Sequence, residues 1–177
     1  MIIMINGAFG AGKTTTAQLL QTQIPNSMIF DPEEIGYMLR NIIPEEIRLQ
    51  EERTDDFQDI ELWRILTVRT LEEVKRKYNK HIIVPMTIYK PGNFEYIVKG
   101  FKSIDHELYH FCLMASEETI LQRLASRGDK EGGWTYQQTI KCLNTLTNDM
   151  YKEHLDTDQL SINEIIHRIL LRIRLAP

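Results

Sequence analysis

The fold is decided by residues 7–14, which read Gly7-Ala8-Phe9-Gly10-Ala11-Gly12-Lys13-Thr14. They fit the pattern G-x-x-x-x-G-K-[ST], in which glycines allow a tight turn whose backbone N–H groups point inward at a phosphate. A helix beginning at the loop adds its N-terminal dipole. Lys13 supplies charge for the β- and γ-phosphates, and the Thr14 hydroxyl is a ligand for Mg²⁺. The motif predicts that the residues from Gly7 to Thr15 bind ATP, with Mg²⁺ as the accompanying ion.

Short apolar runs alternate with longer helical segments on both sides of this motif. Strands are predicted at Ile2–Asn6, Ser27–Phe30, His81–Met86, Glu107–Met114 and His154–Asp158. The predicted helices are Lys13–Gln23, a helix from Pro32 to before Pro44, Ile60–Tyr78, Phe94–Lys102, one capped by Ser116, Thr135–Asp149 and Ser161–Leu175. The charged segment Glu45–Asp59 is left unassigned. This alternation predicts a three-layer α/β P-loop fold, with a parallel sheet of about five strands and helices on both faces, in one domain over 1–177.

Composition narrows the class of protein. The 177 residues are 42% hydrophobic and 26% charged, which is ordinary for a soluble globular domain. A formal net charge of −4 argues against a dedicated nucleic-acid binder. Cys112 and Cys142 lie in apolar segments without metal-ligand spacing, which favours two buried thiols in the reducing cytoplasm.

Asp31 is the main catalytic candidate outside the loop. It follows the second predicted strand, and parallel sheets place ligand-handling residues at the carboxyl ends of their strands. A carboxylate there can accept a proton from a substrate hydroxyl or hold Mg²⁺. Because Pro32 follows it, Asp31 is also a typical helix N-cap, and both roles are compatible. The run Ile82–Tyr89 around Thr87 contains no carboxylate, so the predicted metal-holding residues are Thr14 and Asp31.

Three arginines are further candidates. Arg123 and Arg127 are four residues apart on one predicted helix, directly before the polar segment 128–134. Two cations beside a Gly-containing loop suit a lid that closes over transferring phosphates, although a solvated charged face is the alternative. Arg40 lies near the end of its helix and can contact a substrate, or simply complement the helix dipole.

Aromatic residues and the last helix each allow two interpretations. Trp63 and Trp134, with tyrosines 37, 89 and 96, can stack on a base or sugar, but such aromatics more often pack in the core. The last helix carries isoleucines on one face and arginines elsewhere, which predicts packing on the sheet. Contact of this basic amphipathic end with a membrane surface is the alternative.

Several blocks resemble the tunicamycin-resistance ATP-binding proteins of bacilli. The resemblance covers nearly the whole chain. It is carried by the opening Met1–Thr14, Phe30-Asp31-Pro32-Glu33, Asp56-Phe57-Gln58 with Leu62-Trp63-Arg64, Ile83-Val84-Pro85-Met86-Thr87-Ile88, Leu113-Met114-Ala115-Ser116-Glu117-Glu118-Thr119, and His154-Leu155-Asp156-Thr157-Asp158-Gln159-Leu160-Ser161.

The resemblance implies a nucleoside- or shikimate-kinase-like P-loop fold that binds ATP and protects against tunicamycin. It further implies that this uridine-based antibiotic binds in an acceptor cleft near Asp31, Arg40, Trp63 and Thr87. In a phosphate transfer, Lys13, Arg123 and Arg127 stabilise the γ-phosphoryl group and Asp31 acts as base. Two alternatives stay open: a protein that sequesters the drug in an ATP-dependent way without catalysis, and a kinase for another nucleoside or metabolite.

Overall fold

Five short strands form the sheet: β1 (Ile2–Gly7), β2 (Ser27–Ile29), β3 (His81–Pro85), β4 (Leu108–Met114) and β5 (His154–Asp156). Their order is β2-β3-β1-β4-β5, and every neighbouring pair is parallel. The computed structural model describes residues 1–174. Because β1 is the central strand, it is covered on both faces, and all of Ile2–Gly7 is buried.

Helices make the crossovers that a parallel sheet requires. They are α1 (Lys13–Gln23), α2 (Pro32–Ile42), α3 (Glu61–Tyr78), α4 (Pro91–Ile104), α5 (Glu117–Ser126), α6 (Trp134–Leu146) and α7 (Ile162–Arg174). Short 3₁₀ turns lie at Glu45–Ile47, Gln50–Glu52, Phe57–Asp59 and Asp149–Tyr151. Helix α1 packs against α7, and α3 packs against α2 and α4. The predicted α/β architecture is confirmed.

The predicted capping residues are correct in part. Asp31 caps α2, where its side chain accepts a hydrogen bond from the Glu33 N–H, and Pro32 is the first helical residue. Ser161 and Glu164 bond to each other as a capping box predicts. The helix predicted to begin at Thr135 begins one residue earlier, at Trp134, and its N-cap is Gly133.

Other boundaries differ by a few residues. Helix α4 begins at Pro91, before its predicted start, since proline is favoured at the first helical position. The unassigned segment 45–59 contains three 3₁₀ turns. Leu175, the predicted end of the last helix, lies outside the described residues.

The two cysteines are free and buried, as predicted. Within residues 1–174, every helix is too short or too polar to cross a bilayer.

His110 is a half-buried titratable residue in the sheet, with its Nε2 atom buried. Its Nδ1–H donates to the Lys152 carbonyl oxygen at 2.8 Å, and its ring lies 4.8 Å from that of Phe94. Burial lowers the pKa of His110 to about 4. The folded protein therefore favours the neutral imidazole of His110 over the protonated form.

This burial predicts a pH-dependent stability. An unfolded histidine binds its proton near pH 6.5, so between about pH 6.5 and 4 the unfolded state holds more protons than the folded state. The free energy of unfolding should fall with decreasing pH in that window, by up to about 1.4 kcal/mol per pH unit. Urea unfolding at several pH values measures it. His110→Gln, which stays neutral, should flatten the slope, and an equally steep slope in that variant would contradict the assignment.

Candidate functional site

The loop between β1 and α1 has the backbone that a phosphate cradle requires. Gly12, the N-cap of α1, has a φ of 96°, in the left-handed region that favours glycine. Its helix lacks a side-chain cap, so the first N–H groups of α1 are not covered by a capping side chain. These free donors and the helix dipole together form an anion site.

Lys13 reaches back over this loop. Its Nζ donates to the Ala8 carbonyl oxygen at 2.9 Å and lies 5.5 Å from the centre of the Phe9 ring. Burial lowers the pKa of Lys13, while the nearby charge of Glu33 raises it. The ammonium group is therefore held within the loop and acts electrostatically on Glu33.

Asn6 anchors the start of the loop. Its buried Oδ1 accepts from the Gly7 N–H at 2.8 Å and the Ile88 N–H at 2.9 Å, and its Nδ2 donates to the Ile88 carbonyl oxygen at 2.9 Å. These bonds join the carboxyl end of β1 to the segment after β3. Thr87 is thereby fixed beside the phosphate loop.

A first cavity, the loop cavity, lies on one side of the loop and has a volume of about 410 Å³. Loop and α1 residues from Gly10 to Thr16 form its polar end. Leu160, Ile162 and Ile165 add an apolar wall. A polar, amide-rich end beside an apolar wall suits a phosphate chain attached to a base.

The predicted arginines both line the loop cavity. Arg123 donates to the Thr157 hydroxyl at 2.9 Å and the Thr157 carbonyl at 3.0 Å, which fixes its guanidinium beside the loop. Arg127 is paired with Asp129 at 3.0 Å in the segment that joins α5 to α6. Arg123 is thus held rigidly, whereas Arg127 lies directly before the predicted lid and is more exposed.

A second cavity, the aromatic cavity, lies on the other side of Phe9 and measures about 340 Å³. The Phe9 and Trp134 rings are 5.6 Å apart, and those of Tyr37 and Phe57 are 6.0 Å apart, both edge-on. Its polar lining comes from Glu33, Arg40 and Asp55. Aromatic walls with few polar groups are typical of sites for ring-shaped small molecules.

Glu33 is the carboxylate that faces both the cavity and the loop. It lies in the first turn of α2 and lines the aromatic cavity. Burial raises the pKa of Glu33, and the charge of Lys13 partly opposes this effect. A carboxylate with a raised pKa beside a phosphate loop can act as a general base.

The four predicted acceptor residues lie in different places. Asp31 is exposed, and its carboxylate caps α2. Arg40 lines the aromatic cavity, stacks over Phe57 and donates to the Asp55 carbonyl oxygen. Trp63 is fully buried with its Nε1 donating to the Pro32 carbonyl oxygen at 3.0 Å, so it supports α2 from the core. Thr87 is also buried, in a small chamber next to the aromatic cavity.

Sequence reasoning missed Glu33, Phe57 and Gln58 as site residues. Glu33 lies in the first turn of the helix predicted from Pro32, and its position two residues after Asp31 at the end of a strand is the signal that could have indicated it. Phe57 and Gln58 fall in the segment 45–59, where 3₁₀ turns leave no hydrophobic period to interpret.

The oxygen donors near the phosphate loop are of the kind that binds Mg²⁺. Thr14 and Asp31 offer oxygen ligands, which Mg²⁺ prefers. Within residues 1–174, three or more acidic, histidine or cysteine side chains nowhere gather in a metal-binding group. This composition fits an ion held mostly by phosphate oxygens and water, as Mg²⁺ usually is beside a nucleotide.

The strand order and the loop after β1 define a P-loop NTPase fold of the nucleoside- and shikimate-kinase type. Within this class, the chain belongs to the family described as AAA domain, whose model matches residues 3–142. The P-loop fold implies nucleotide binding, usually with Mg²⁺.

Solved structures agree with this assignment. The tunicamycin resistance protein of Deinococcus radiodurans is 28% identical, with a TM-score of 0.77, 99% of this chain covered and 96% of that one. The predicted resemblance is thereby confirmed.

Two kinases share the fold. A gluconokinase from Sinorhizobium meliloti is 19% identical, with a TM-score of 0.64, 98% of this chain covered and 92% of that one. The shikimate kinase of Acinetobacter baumannii is 17% identical, with a TM-score of 0.63 and the same two coverages. A search of curated proteins gave no match.

Gly36 lies against the Phe57 ring, so a larger residue at this position tests how closely the wall of the aromatic cavity is packed. A Cβ at Gly36 would lie 2.5 Å from the Phe57 ring, so Gly36→Ala should force that ring away. The expected cost is about 1–3 kcal/mol of unfolding free energy, or roughly 2–10 °C in Tm. Gly92→Ala is the matched control, since its Cβ would meet open space. Equal melting temperatures in the two variants, measured by calorimetry, would contradict close packing at Phe57.

Proposed function

We propose that the chain is an ATP-dependent small-molecule kinase that phosphorylates a hydroxyl of a nucleoside-type ligand, with tunicamycin as the first candidate. One observation carries the proposal: consecutive residues of the phosphate loop line both the loop cavity and the aromatic cavity. Phe9 lines the aromatic cavity, and the next residue, Gly10, lines the loop cavity. Burial raises the pKa of Glu33 in the aromatic cavity, and the positive charge of Lys13 in the loop opposes that rise. The similarity to the tunicamycin resistance protein supports the ligand class.

On the nucleotide side, the chain supplies charge and donors. Backbone N–H groups of the loop hold the phosphates, and Lys13 stabilises charge that develops on the γ-phosphoryl oxygens. Arg127 adds positive charge from the end of α5, next to the predicted lid, while Arg123 is fixed by Thr157 at the cavity wall. Thr14 and Asp31 would hold Mg²⁺, which neutralises phosphate charge when it is bound.

On the acceptor side, Glu33 takes the role of base that the sequence suggested for Asp31. Its carboxylate accepts the proton of the ligand hydroxyl. That oxygen forms a bond to the γ-phosphorus, the bond from this phosphorus to the β–γ bridging oxygen breaks, and ADP leaves. The raised pKa of Glu33 makes it a stronger base than an ordinary carboxylate. Asp31 is exposed, and its Oδ1 caps α2. We therefore assign Asp31 to holding Mg²⁺ rather than to taking the proton.

A second candidate is a protein that binds the drug without modifying it. The end of β3, with Met86 and Thr87 buried and no carboxylate over residues 82–89, favours this alternative. ATP would then order the cavities, and protection of cells would be stoichiometric rather than catalytic.

Mass spectrometry separates these functions. Purified protein incubated with Mg-ATP and tunicamycin should yield the drug with one added phosphoryl group, over many turnovers. Lys13→Ala should lower the rate by at least about a hundredfold, since it removes preorganised positive charge at the transferring group. Lys99→Ala, at an exposed lysine of α4, is the control and should be fully active. Unmodified drug that co-purifies with the protein would favour sequestration, and a phosphorylated common nucleoside instead would indicate a different acceptor.

The assignment of Glu33 predicts a pH profile. A base must be deprotonated, so kcat/KM should fall as pH decreases through the raised pKa of Glu33. Glu33→Gln should lose at least about a hundredfold in kcat and lose this acidic limb. Glu34→Gln, one residue along the same helix and exposed, should keep both. An unchanged limb in Glu33→Gln, with the loss appearing in Asp31→Asn instead, would return the role of base to Asp31.

A further inference from the structure

A small chamber adjoins the aromatic cavity and is lined by more deeply buried residues. The two share Phe9, Glu33, Phe57 and Trp134. The chamber measures about 10 Å³, which is close to the space that one water-sized group requires. A ligand in the aromatic cavity could therefore extend one polar atom into it.

Gln58 is rigidly held at this chamber. It is 7% exposed, and its Nε2 donates to the Thr87 carbonyl oxygen at 3.0 Å. Its backbone N–H donates to Asp56, and its carbonyl accepts from Asn93 at 2.8 Å. Because the amide nitrogen is committed to a carbonyl, the orientation of the amide is fixed. The buried Oε1 has no hydrogen-bond partner within residues 1–174.

Thr87 offers a second such atom. Its side chain is 4% exposed, and its buried Oγ1 also has no hydrogen-bond partner among the described residues. A buried polar atom without a partner costs about 1–3 kcal/mol, so two of them lining one chamber require an explanation. Carbonyl-type Oε1 can only accept, whereas a threonine hydroxyl can donate or accept.

Asp56, one of the two acidic residues that line the chamber, is already paired within the protein. Asp56 accepts from the Tyr89 hydroxyl at 2.8 Å and forms an ion pair with Lys90 at 3.0 Å. Among the described residues that line the chamber, none is a lysine, arginine or histidine. An anionic ligand group would meet Glu33 and Asp56 there, and the cation beside Asp56, Lys90, is already paired with Asp56 and Asp59.

We propose that Gln58 and Thr87 form a specificity subsite that reads an uncharged hydrogen-bond donor, an O–H or N–H group, on the acceptor ligand. The ligand group donates to Gln58 Oε1 and exchanges a second hydrogen bond with the Thr87 hydroxyl. The subsite selects uncharged ligands over carboxylates and phosphates, because charge is destabilised in this chamber. This inference rests on the aromatic cavity being the acceptor site of the proposed function.

The test measures binding without phosphoryl transfer. A non-hydrolysable ATP analogue fills the loop cavity, and isothermal titration calorimetry gives the Kd of tunicamycin and of two matched pairs, uridine with uridine monophosphate and glucose with glucuronate. Uncharged members should bind more tightly than their charged counterparts. The tightest uncharged ligand is then titrated into the variants.

Thr87→Val removes only the hydroxyl and keeps the shape of the side chain. The Kd should rise about tenfold, while the melting temperature should stay equal or rise, since an unpartnered buried hydroxyl is lost. Thr87→Ser keeps the hydroxyl and should bind within about threefold of the wild type. Thr67→Val is the matched control. Thr67 is fully buried in α3, and its Oγ1 is likewise without a partner in the described chain. The ligand should bind the Thr67→Val protein with an unchanged Kd.

Three results would overturn the subsite. The first is an unchanged Kd in Thr87→Val, which is expected if the chamber holds only water. The second is tighter binding of the charged members of the pairs. The third is that no uncharged member binds to the wild type. Ligand binding that follows the expected pattern without phosphoryl transfer in the mass-spectrometric assay would overturn the proposed kinase activity alone.

Discussion

The site depends on one buried positive charge, the ammonium group of Lys13. Burial lowers the pKa of Lys13, and three neighbours oppose that effect or accommodate the charge: the Ala8 carbonyl oxygen, the face of Phe9, and Glu33. Each of these groups also belongs to the loop or to the wall of the aromatic cavity. The charge that would stabilise a phosphate therefore also holds the acceptor side of the loop in place.

The fold fixes this charge through β1. A central parallel strand is buried on both faces, so its carboxyl end can be positioned by packing rather than by solvent-exposed loops. Asn6 is the polar exception in this strand: two of its side-chain hydrogen bonds join it to Ile88 after β3, and the third holds the Gly7 N–H at the start of the loop. A shift of β1 would thus move the phosphate loop and Thr87 together.

Some site residues carry a local sequence pattern and could be predicted, whereas others belong to the site only through contacts between distant segments. The loop was predictable because its chemistry is local: glycines, a lysine and a threonine at fixed spacing between a strand and a helix. Asp31 was predictable as a cap for the same reason. Trp63 was not, since only tertiary packing decides whether a tryptophan in an amphipathic helix faces a ligand or the core. Gln58 contacts Thr87, 29 residues away, and Phe57 contacts Tyr37, 20 residues away on α2. No local sequence pattern encodes such contacts.

Internal pairing then decides what charge the aromatic cavity can offer a ligand. Arg40 is its only basic residue within the described chain, and its guanidinium is committed to the Asp55 carbonyl and the Phe57 ring. Lys90 is likewise committed to Asp56 and Asp59. Breaking either arrangement to bind an anion would leave a partner group unsatisfied, at about 1–3 kcal/mol. The remaining recognition groups are aromatic faces, the acidic residues Glu33 and Asp55, and hydrogen-bonding oxygens. Such a set favours a ligand that brings rings and donors rather than negative charge.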